Sequence, residues 1–321
     1  MMLLRKSILL LSLFALTACL QKPVFNIEVV QPASTAEFIA SATPFTAWTE
    51  MAMPSPTPVI DEALPIFSPT PVVWSGEFSP VLYGGNRYGM SVFLLLGGVA
   101  TGEWITPETS ALRFGGEATY SLHTLTQISR YFIWGQVPQF SYACGNYFVH
   151  TDPGLDEPGF VGVLDGWNVT KREQIELSAN DLLYQQTVID FLTAMGVAAF
   201  PPSTLQAFRV DIEGDGVDEV FISATHLDDP KQTPKGGDYS IVLMRKVVGN
   251  DAVTKLVVGD HYNAPRPEIS HPRTYTLANF IDLNQDGVLE VVVDVKKWEG
   301  FGGIVLEVNG QDVTARLSAE C

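Results

Sequence analysis

Two short segments of this chain carry oxygen-bearing side chains at alternate positions, a spacing that suits the binding of a hard metal ion. The segments start 71 residues apart and share one pattern, with such side chains at positions 1, 3, 5 and 9 and glycine at position 6. The first loop (residues 211–219) supplies Asp211, Glu213, Asp215 and Glu219, and the second loop (residues 282–290) supplies Asp282, Asn284, Asp286 and Glu290.

Calcium is the ion that this pattern favours, because it takes six to eight oxygen ligands at about 2.3–2.6 Å. Gly216 and Gly287 let the backbone turn through positive φ and direct the next carbonyl, that of Val217 or Val288, at the ion. We expect two structural calcium sites, because crowded carboxylates repel one another until an ion neutralises them. The alternative is two acidic turns that use aspartate and glycine only for turn geometry.

Position 12 shows what kind of loop this is. A helix–loop–helix calcium hand needs glutamate there, but these loops have Ile222 and Val293. Both residues lie in β-branched runs, and the upstream flanks also have strand character. We therefore expect each loop to join two strands.

The loops with their following strands resemble FG-GAP or VCBS-type repeats, whose calcium loops lie between strands of β-propeller blades, as in integrin α-subunits. The resemblance covers roughly residues 204–317 and implies the side-chain and carbonyl ligands named above. Glu213 is longer than the aspartate or asparagine usual at position 3, and Gln285 replaces a common glycine. The resemblance implies a mainly β fold, propeller-like or built of antiparallel multi-blade meanders.

The spacing of apolar residues in the sequence also predicts the strands that would position the loops. Two further strands are predicted after each loop: Tyr239–Val248 and Val253–Val258 after the first, and Ile304–Val308 and Val313–Leu317 after the second. Together with the two strands that flank each loop, this makes four strands per repeat. Further strands are predicted upstream at Ser91–Leu96, Ala118–Leu125, Arg130–Trp134, Tyr147–Thr151 and Phe160–Leu164. Turns are predicted at Gly97–Gly98, Gly115–Gly116 and Asp165–Gly166.

One amphipathic helix is predicted between the two halves. Ser178 is its expected N-cap, in a capping-box relation with Asp181, and Gly196 ends it. Its apolar residues follow at near-helical spacing: Leu182, Leu183, Val188, Ile189, Leu192 and Met195.

The N-terminus carries an export signal. Arg5 and Lys6 precede a short apolar run, which ends in Leu16-Thr17-Ala18-Cys19. This resembles the lipobox of bacterial lipoproteins and implies cleavage before Cys19 and attachment of lipid to its thiol. The alternative is an ordinary secretory signal followed by a chance cysteine. The resemblance predicts an extracytoplasmic protein anchored to a bacterial membrane surface.

The chain thus divides into a signal peptide (residues 1–18), a proline-rich linker (residues 19–73), a β-rich region ending in a helix (residues 74–200) and the two repeats (residues 201–321). In an oxidising compartment the remaining cysteines, Cys144 and Cys321, are expected to form a disulfide. Two free thiols are the alternative.

Acidic residues outnumber basic ones by 17, which excludes nucleic acid as a partner. No catalytic motif is present. The favoured function is a non-catalytic module that binds a protein or glycan or acts as a scaffold. The alternative is a surface hydrolase, for instance of glycans, with paired carboxylates in a cleft. His261, His271, Asp228–Asp229 and Asp238 are its candidate residues.

Overall fold

The computed structural model describes residues 77–87, 90–114, 116–125, 131–152, 158–227, 233–249, 251–310 and 312–321. The described chain is mainly β, with antiparallel sheets and two helices. The predicted signal peptide, Cys19 and the linker lie outside these residues. Neither helix of the described part has the length and apolar character needed to cross a bilayer.

The first sheet contains the strands upstream of the repeats. They are β1 (Phe78–Arg87), β2 (Met90–Ala100), β3 (Glu103–Ile105), β4 (Ala118–His123), β5 (Tyr131–Gly135), β6 (Gln139–Ser141), β7 (Asn146–Asp152) and β8 (Pro158–Leu164). Their order is β3-β2-β1-β8-β4-β5-β7-β6, and β2 also pairs with β7. The described N-terminal region is therefore one eight-stranded sheet and does not divide into four-stranded meanders like those of the repeats.

Each repeat forms its own antiparallel meander. The second sheet consists of β9 (Ile175–Leu177), β10 (Thr204–Val210), β11 (Glu219–His226), β12 (Tyr239–Val248) and β13 (Asp251–His261), in the order β13-β12-β11-β10-β9. The third sheet consists of β14 (Thr274–Ile281), β15 (Glu290–Lys296), β16 (Phe301–Asn309) and β17 (Asp312–Glu320), in chain order. The prediction of four strands per repeat is confirmed, with β9 added at the edge of the second sheet.

The central strand β15 of the third sheet is buried on both faces. Neighbouring residues of a strand point to opposite sides, so they enter different cores. On β15, Val292 packs into the core shared with the first sheet. Its neighbours Val291 and Val293 pack into the core shared with the second sheet. The far side of the second sheet is covered by helix α2 (Leu182–Ala194), through Val188 and Leu192. The layers therefore run first sheet, third sheet, second sheet, helix.

Three local predictions were wrong. Gly97–Gly98 lies inside β2, where a Cβ on Gly97 would fall 2.4 Å from the carbonyl oxygen of Ile105. Ser178 is not the helix cap, since the Asp181 carboxylate accepts the Leu183 amide at 2.8 Å. A second helix, α1 (Pro107–Leu112), was not anticipated, because its six residues are too few for a periodic pattern.

The helix end and one turn were predicted correctly. Gly196 adopts φ +79° directly after α2, and Asp165–Gly166 forms a turn after β8. The apolar face of α2 is only partly as predicted, because Leu182 and Leu183 at its start are exposed. Gly115 lies outside the described residues.

A disulfide ties the chain's last residue to the first sheet. Cys144, in the turn between β6 and β7, is bonded to Cys321, and their Cα atoms lie 4.8 Å apart. Asn146 Nδ2 donates to the Glu320 carbonyl at 2.6 Å beside this bond. The end of β17 is thus held to the first sheet covalently and by a hydrogen bond.

Candidate metal centre

The two loops lie side by side. The first joins β10 to β11 and the second joins β14 to β15, and the Leu289 amide donates to the Ile212 carbonyl at 2.9 Å between them. Gly216 and Gly287 adopt φ +85° and +89°, the positive values expected at position 6. The loops therefore share both their backbone turn and a direct contact.

Position 4 explains how the two loops keep one shape despite different residues. Gly214 has φ +76°, and Gln285 at the same place in the second loop has φ +66°. A non-glycine residue is strained in this conformation. The Gln285 amide donates to Asp282 Oδ1 at 2.7 Å, as the Gly214 amide donates to Asp211 Oδ1 at 2.6 Å. The loop's own hydrogen bonds thus impose the turn on Gln285.

The glutamate at position 9 has the same backbone partner in both loops. Glu219 Oε2 accepts the Ile212 amide at 3.1 Å, and Glu290 Oε2 accepts the Leu283 amide at 2.7 Å. Each glutamate therefore closes its loop through one oxygen. The other oxygen, Oε1, is buried without a well-aligned hydrogen bond in both loops, and only that of Glu219 lies in contact with a cation.

In the first loop a lysine faces the glutamates. Lys246 Nζ on β12 lies 3.0 Å from Glu219 Oε1 and 2.5 Å from Glu213 Oε2. Glu219 is fully buried, and desolvation raises its pKa against the opposing effects of the Ile212 amide and Lys246. Desolvation acts to lower the pKa of Lys246, but its contacts with both glutamates raise it overall. The first loop therefore contains a fixed cation supplied by the protein.

In the second loop no described lysine or arginine forms an ion pair with the carboxylates of Asp282, Asp286 or Glu290. Glu290 is 1% exposed, and its Oε1 has no hydrogen-bond partner. Desolvation, helped by the charges of Asp282 and Asp286, raises the pKa of Glu290 to about 8. Asp282, 2% exposed, has its pKa raised by desolvation as well. This loop holds buried carboxylates without a described cation in ion-pair contact with them.

The remaining predicted donors lie in the same loops. Asn284 is buried and its Nδ2 donates to Asp286 Oδ2 at 2.9 Å, while Asp286 Oδ1 accepts the Val288 amide at 2.8 Å. In the first loop Asp215 is exposed, as Asp286 is, and its Oδ1 accepts the Val217 amide at 2.8 Å, but Glu213 is only half-buried where Asn284 is buried. The second loop is therefore the more enclosed of the two.

A strap (residues 167–174) between β8 and β9 crosses both loops. Trp167 Nε1 donates to the Leu283 carbonyl at 2.9 Å, and the Asp282 amide donates to the Thr170 carbonyl at 3.0 Å. Through these bonds the strap covers the second loop and contributes to the burial of Asp282. No motif in the sequence marks it as part of the site.

Arg172 in the strap joins the two loops. Its guanidinium donates to the carbonyls of Ile212 (2.6 Å) and Asp211 (3.2 Å) in the first loop and to that of Gly287 in the second. A Cβ at Gly214 would lie 2.5 Å from Arg172 Nη2, so glycine there also makes room for the guanidinium.

We expect Arg172→Met to lower the free energy of unfolding by about 2–4 kcal/mol, because it leaves several carbonyls without their charged donor. Arg209→Met is the matched control, since Arg209 forms an exposed ion pair with Asp218 and should cost at most about 1 kcal/mol. Urea denaturation measures both. Equal losses in the two variants would show that the bridge between the loops adds no stability.

With the side chains in their present positions, no three His, Cys, Asp or Glu residues in the described part of the chain lie close enough together to bind one metal ion. The carboxylates of both loops are turned partly toward backbone amides of their own loop. The second loop nevertheless fits a hard cation chemically, because it combines oxygen donors, burial and the unpartnered Oε1 of Glu290.

The residues considered for a hydrolase form no comparable arrangement in the described chain. Asp228 and Asp229 lie outside the described residues. Asp238 is buried, and its Oδ2 accepts the Lys235 amide at 2.8 Å in a turn. Burial lowers the pKa of His261, against the opposing charge of Asp260.

Sequence reasoning missed three site residues: Lys246, Arg172 and Trp167. Lys246 follows the first loop by a whole strand and a connection, and Arg172 precedes it by about forty residues, so no local spacing connects them to it.

No protein-family model, curated protein or solved structure matches this chain.

Proposed function

We propose that this protein is a lipid-anchored, extracytoplasmic lipoprotein with a calcium-stabilised β domain that acts as a non-catalytic binding or scaffolding module. The observation that supports the calcium role is the second loop, where Glu290 and Asp282 are buried next to Asp286 without a cationic partner. Burying carboxylates in this way is costly unless a cation or proton compensates. Calcium at millimolar concentrations outside a cell would occupy even a weak site of this kind.

The ligands that we assign to this ion are the side chains of Asp282, Asn284, Asp286 and Glu290 and the carbonyl of Val288. The ion would neutralise the cluster, so that its binding free energy contributes to the stability of the fold. We further propose that the second and third sheets are blade-like units of the FG-GAP or VCBS kind. The lipid on Cys19 and the linker would hold them at the membrane surface, available to a protein or glycan partner.

Calorimetric titration with calcium tests the metal role. We expect binding with a Kd of about 1 mM or lower. Asp282→Ala should weaken it roughly tenfold or more, because it removes a charged ligand. Asp251→Ala, the same change in charge at an exposed position of β13, should leave binding unchanged. Absence of binding to the unaltered protein would refute the calcium role.

A further inference from the structure

The first loop differs from the second in having a cation that belongs to the chain. Lys246 Nζ contacts two of the four side chains that the repeat pattern assigns to the ion, Glu213 and Glu219. The lysine side chain is 14% exposed and Glu219 is fully buried, so the contact is largely shielded from solvent. A positive charge therefore already lies among the expected ligands.

The register of the sheet explains why only one loop has this lysine. On β11 and β12, Val220 pairs with Arg245, so the next position places Lys246 across from Glu219. On β15 and β16, Val291 pairs with Leu306, so the corresponding residue across from Glu290 is Glu307. The two repeats thus have opposite charges at the equivalent place.

Glu307 has the same charge as Glu290 and has an arginine of its own. Its carboxylate binds Arg316 through contacts of 2.9 and 3.0 Å and accepts a hydrogen bond from Trp104 Nε1 at 3.3 Å. Arg316 therefore forms its ion pair with Glu307, and its charge acts on Glu290 only from a distance.

The length of Glu213 is consistent with this arrangement. Its Oε2 contacts Lys246, and its Oε1 accepts the amide of Gly310 at 3.1 Å, in the turn between β16 and β17. Both oxygens are therefore occupied by partners within the protein. Asn284, at the same position in the second loop, is shorter, and its Nδ2 bonds within its own loop.

We propose that Lys246 replaces the metal ion of the first loop, so that the chain binds one calcium ion, at the second loop, instead of two. The ammonium group contacts Glu213 and Glu219 together and offsets one of their two negative charges, which makes the first loop independent of calcium. The count of one ion rests on the proposed function, whereas the role of Lys246 in the first loop does not.

Counting bound calcium by equilibrium dialysis tests the proposal. We expect one ion per chain in the unaltered protein and none in Asp282→Ala. Lys246→Met should bind one ion more than the unaltered protein, because it leaves two facing carboxylates without their cation. Its Tm should fall by several degrees without calcium and recover when calcium is added. Lys296→Met, which removes a lysine paired with Asp294, should gain no ion.

Two results would overturn the proposal: an ion that Asp282→Ala binds with the affinity of the unaltered protein, or a folded Lys246→Met that gains none. The first result does not depend on the folding of the lysine variant. If the unaltered protein bound no ion but Lys246→Met bound one, the proposed calcium role of the second loop would fail while the role of Lys246 would stand. The double variant Lys246→Met/Asp282→Ala should bind one ion, at the first loop.

Discussion

Glu290→Gln is expected to stabilise the calcium-free protein at pH 8, by about 2 kcal/mol or more, since one pKa unit corresponds to about 1.4 kcal/mol. The reason is that ionised Glu290 is buried and its Oε1 has no partner. Glutamine keeps an oxygen to accept the Leu283 amide and replaces the unpartnered oxygen by a donor facing an anionic cluster. The same change should abolish the stabilisation by calcium, because a charged ligand is lost.

Glu219→Gln is the matched control, because it makes the same substitution at the same loop position. There the carboxylate contacts Lys246, so removing its charge also removes an ion pair, and we expect a clearly smaller gain in stability than in Glu290→Gln. Chemical denaturation in calcium-free buffer at pH 8 measures both variants. A gain in Glu290→Gln no larger than that in Glu219→Gln would show that Glu290 does not carry an uncompensated charge.

The calcium-free protein is expected to lose stability as the pH rises from about 5 to 8, which is the opposite of ordinary acid denaturation. The folded-state pKa of Glu290 is raised to about 8 from an ordinary value of 4.5. Between these values the folded state binds more protons than the unfolded state. The contribution of Glu290 is therefore fully present below pH 4.5 and is lost as the pH rises through 8. The raised pKa values of Asp282 and Glu219 act in the same direction, and the lowered pKa of His261 acts against them.

Thermal unfolding in metal-free buffer at pH 5, 6, 7 and 8 measures this effect. We expect the Tm to fall by roughly 5 °C or more across the series. Saturating calcium should remove most of the fall at pH 8, because the ion stabilises the ionised glutamate. The Glu290→Gln variant should show a flatter profile. A Tm that rises steadily with pH in the calcium-free protein would contradict the assignment of a buried, uncompensated carboxylate.

Local chemistry carries enough information to predict the loops and their strands. Val291-Val292-Val293 is too uniformly apolar for a strand with one solvated face, and in the structure both faces of β15 are buried. Gly216 and Gly287 were correctly expected at positive φ, because the turn requires it. These features depend on residues a few positions apart, so they can be predicted from the sequence.

Other features depend on contacts between distant segments. Gly97 and Gly98 have the composition of a turn but lie in β2, because their small size permits close approach of Ile105, Phe78 and Ser110. The single eight-stranded first sheet depends on the pairing of β2 with β7, which no local pattern indicates. Strand order and close packing are properties of the assembled layers.

The sequence by itself determined that two like loops, each between two strands, carry oxygen-bearing side chains at a spacing that suits a hard cation. Only the tertiary structure decided that the loops differ in charge. The pairing of β12 with β11 brings Lys246 to the first loop, and the pairing of β16 with β15 brings Glu307 to the equivalent place in the second. Charge compensation acts through space, so the chain's local pattern defines the oxygen-bearing side chains, and the register of the neighbouring strand decides whether they already have a cation.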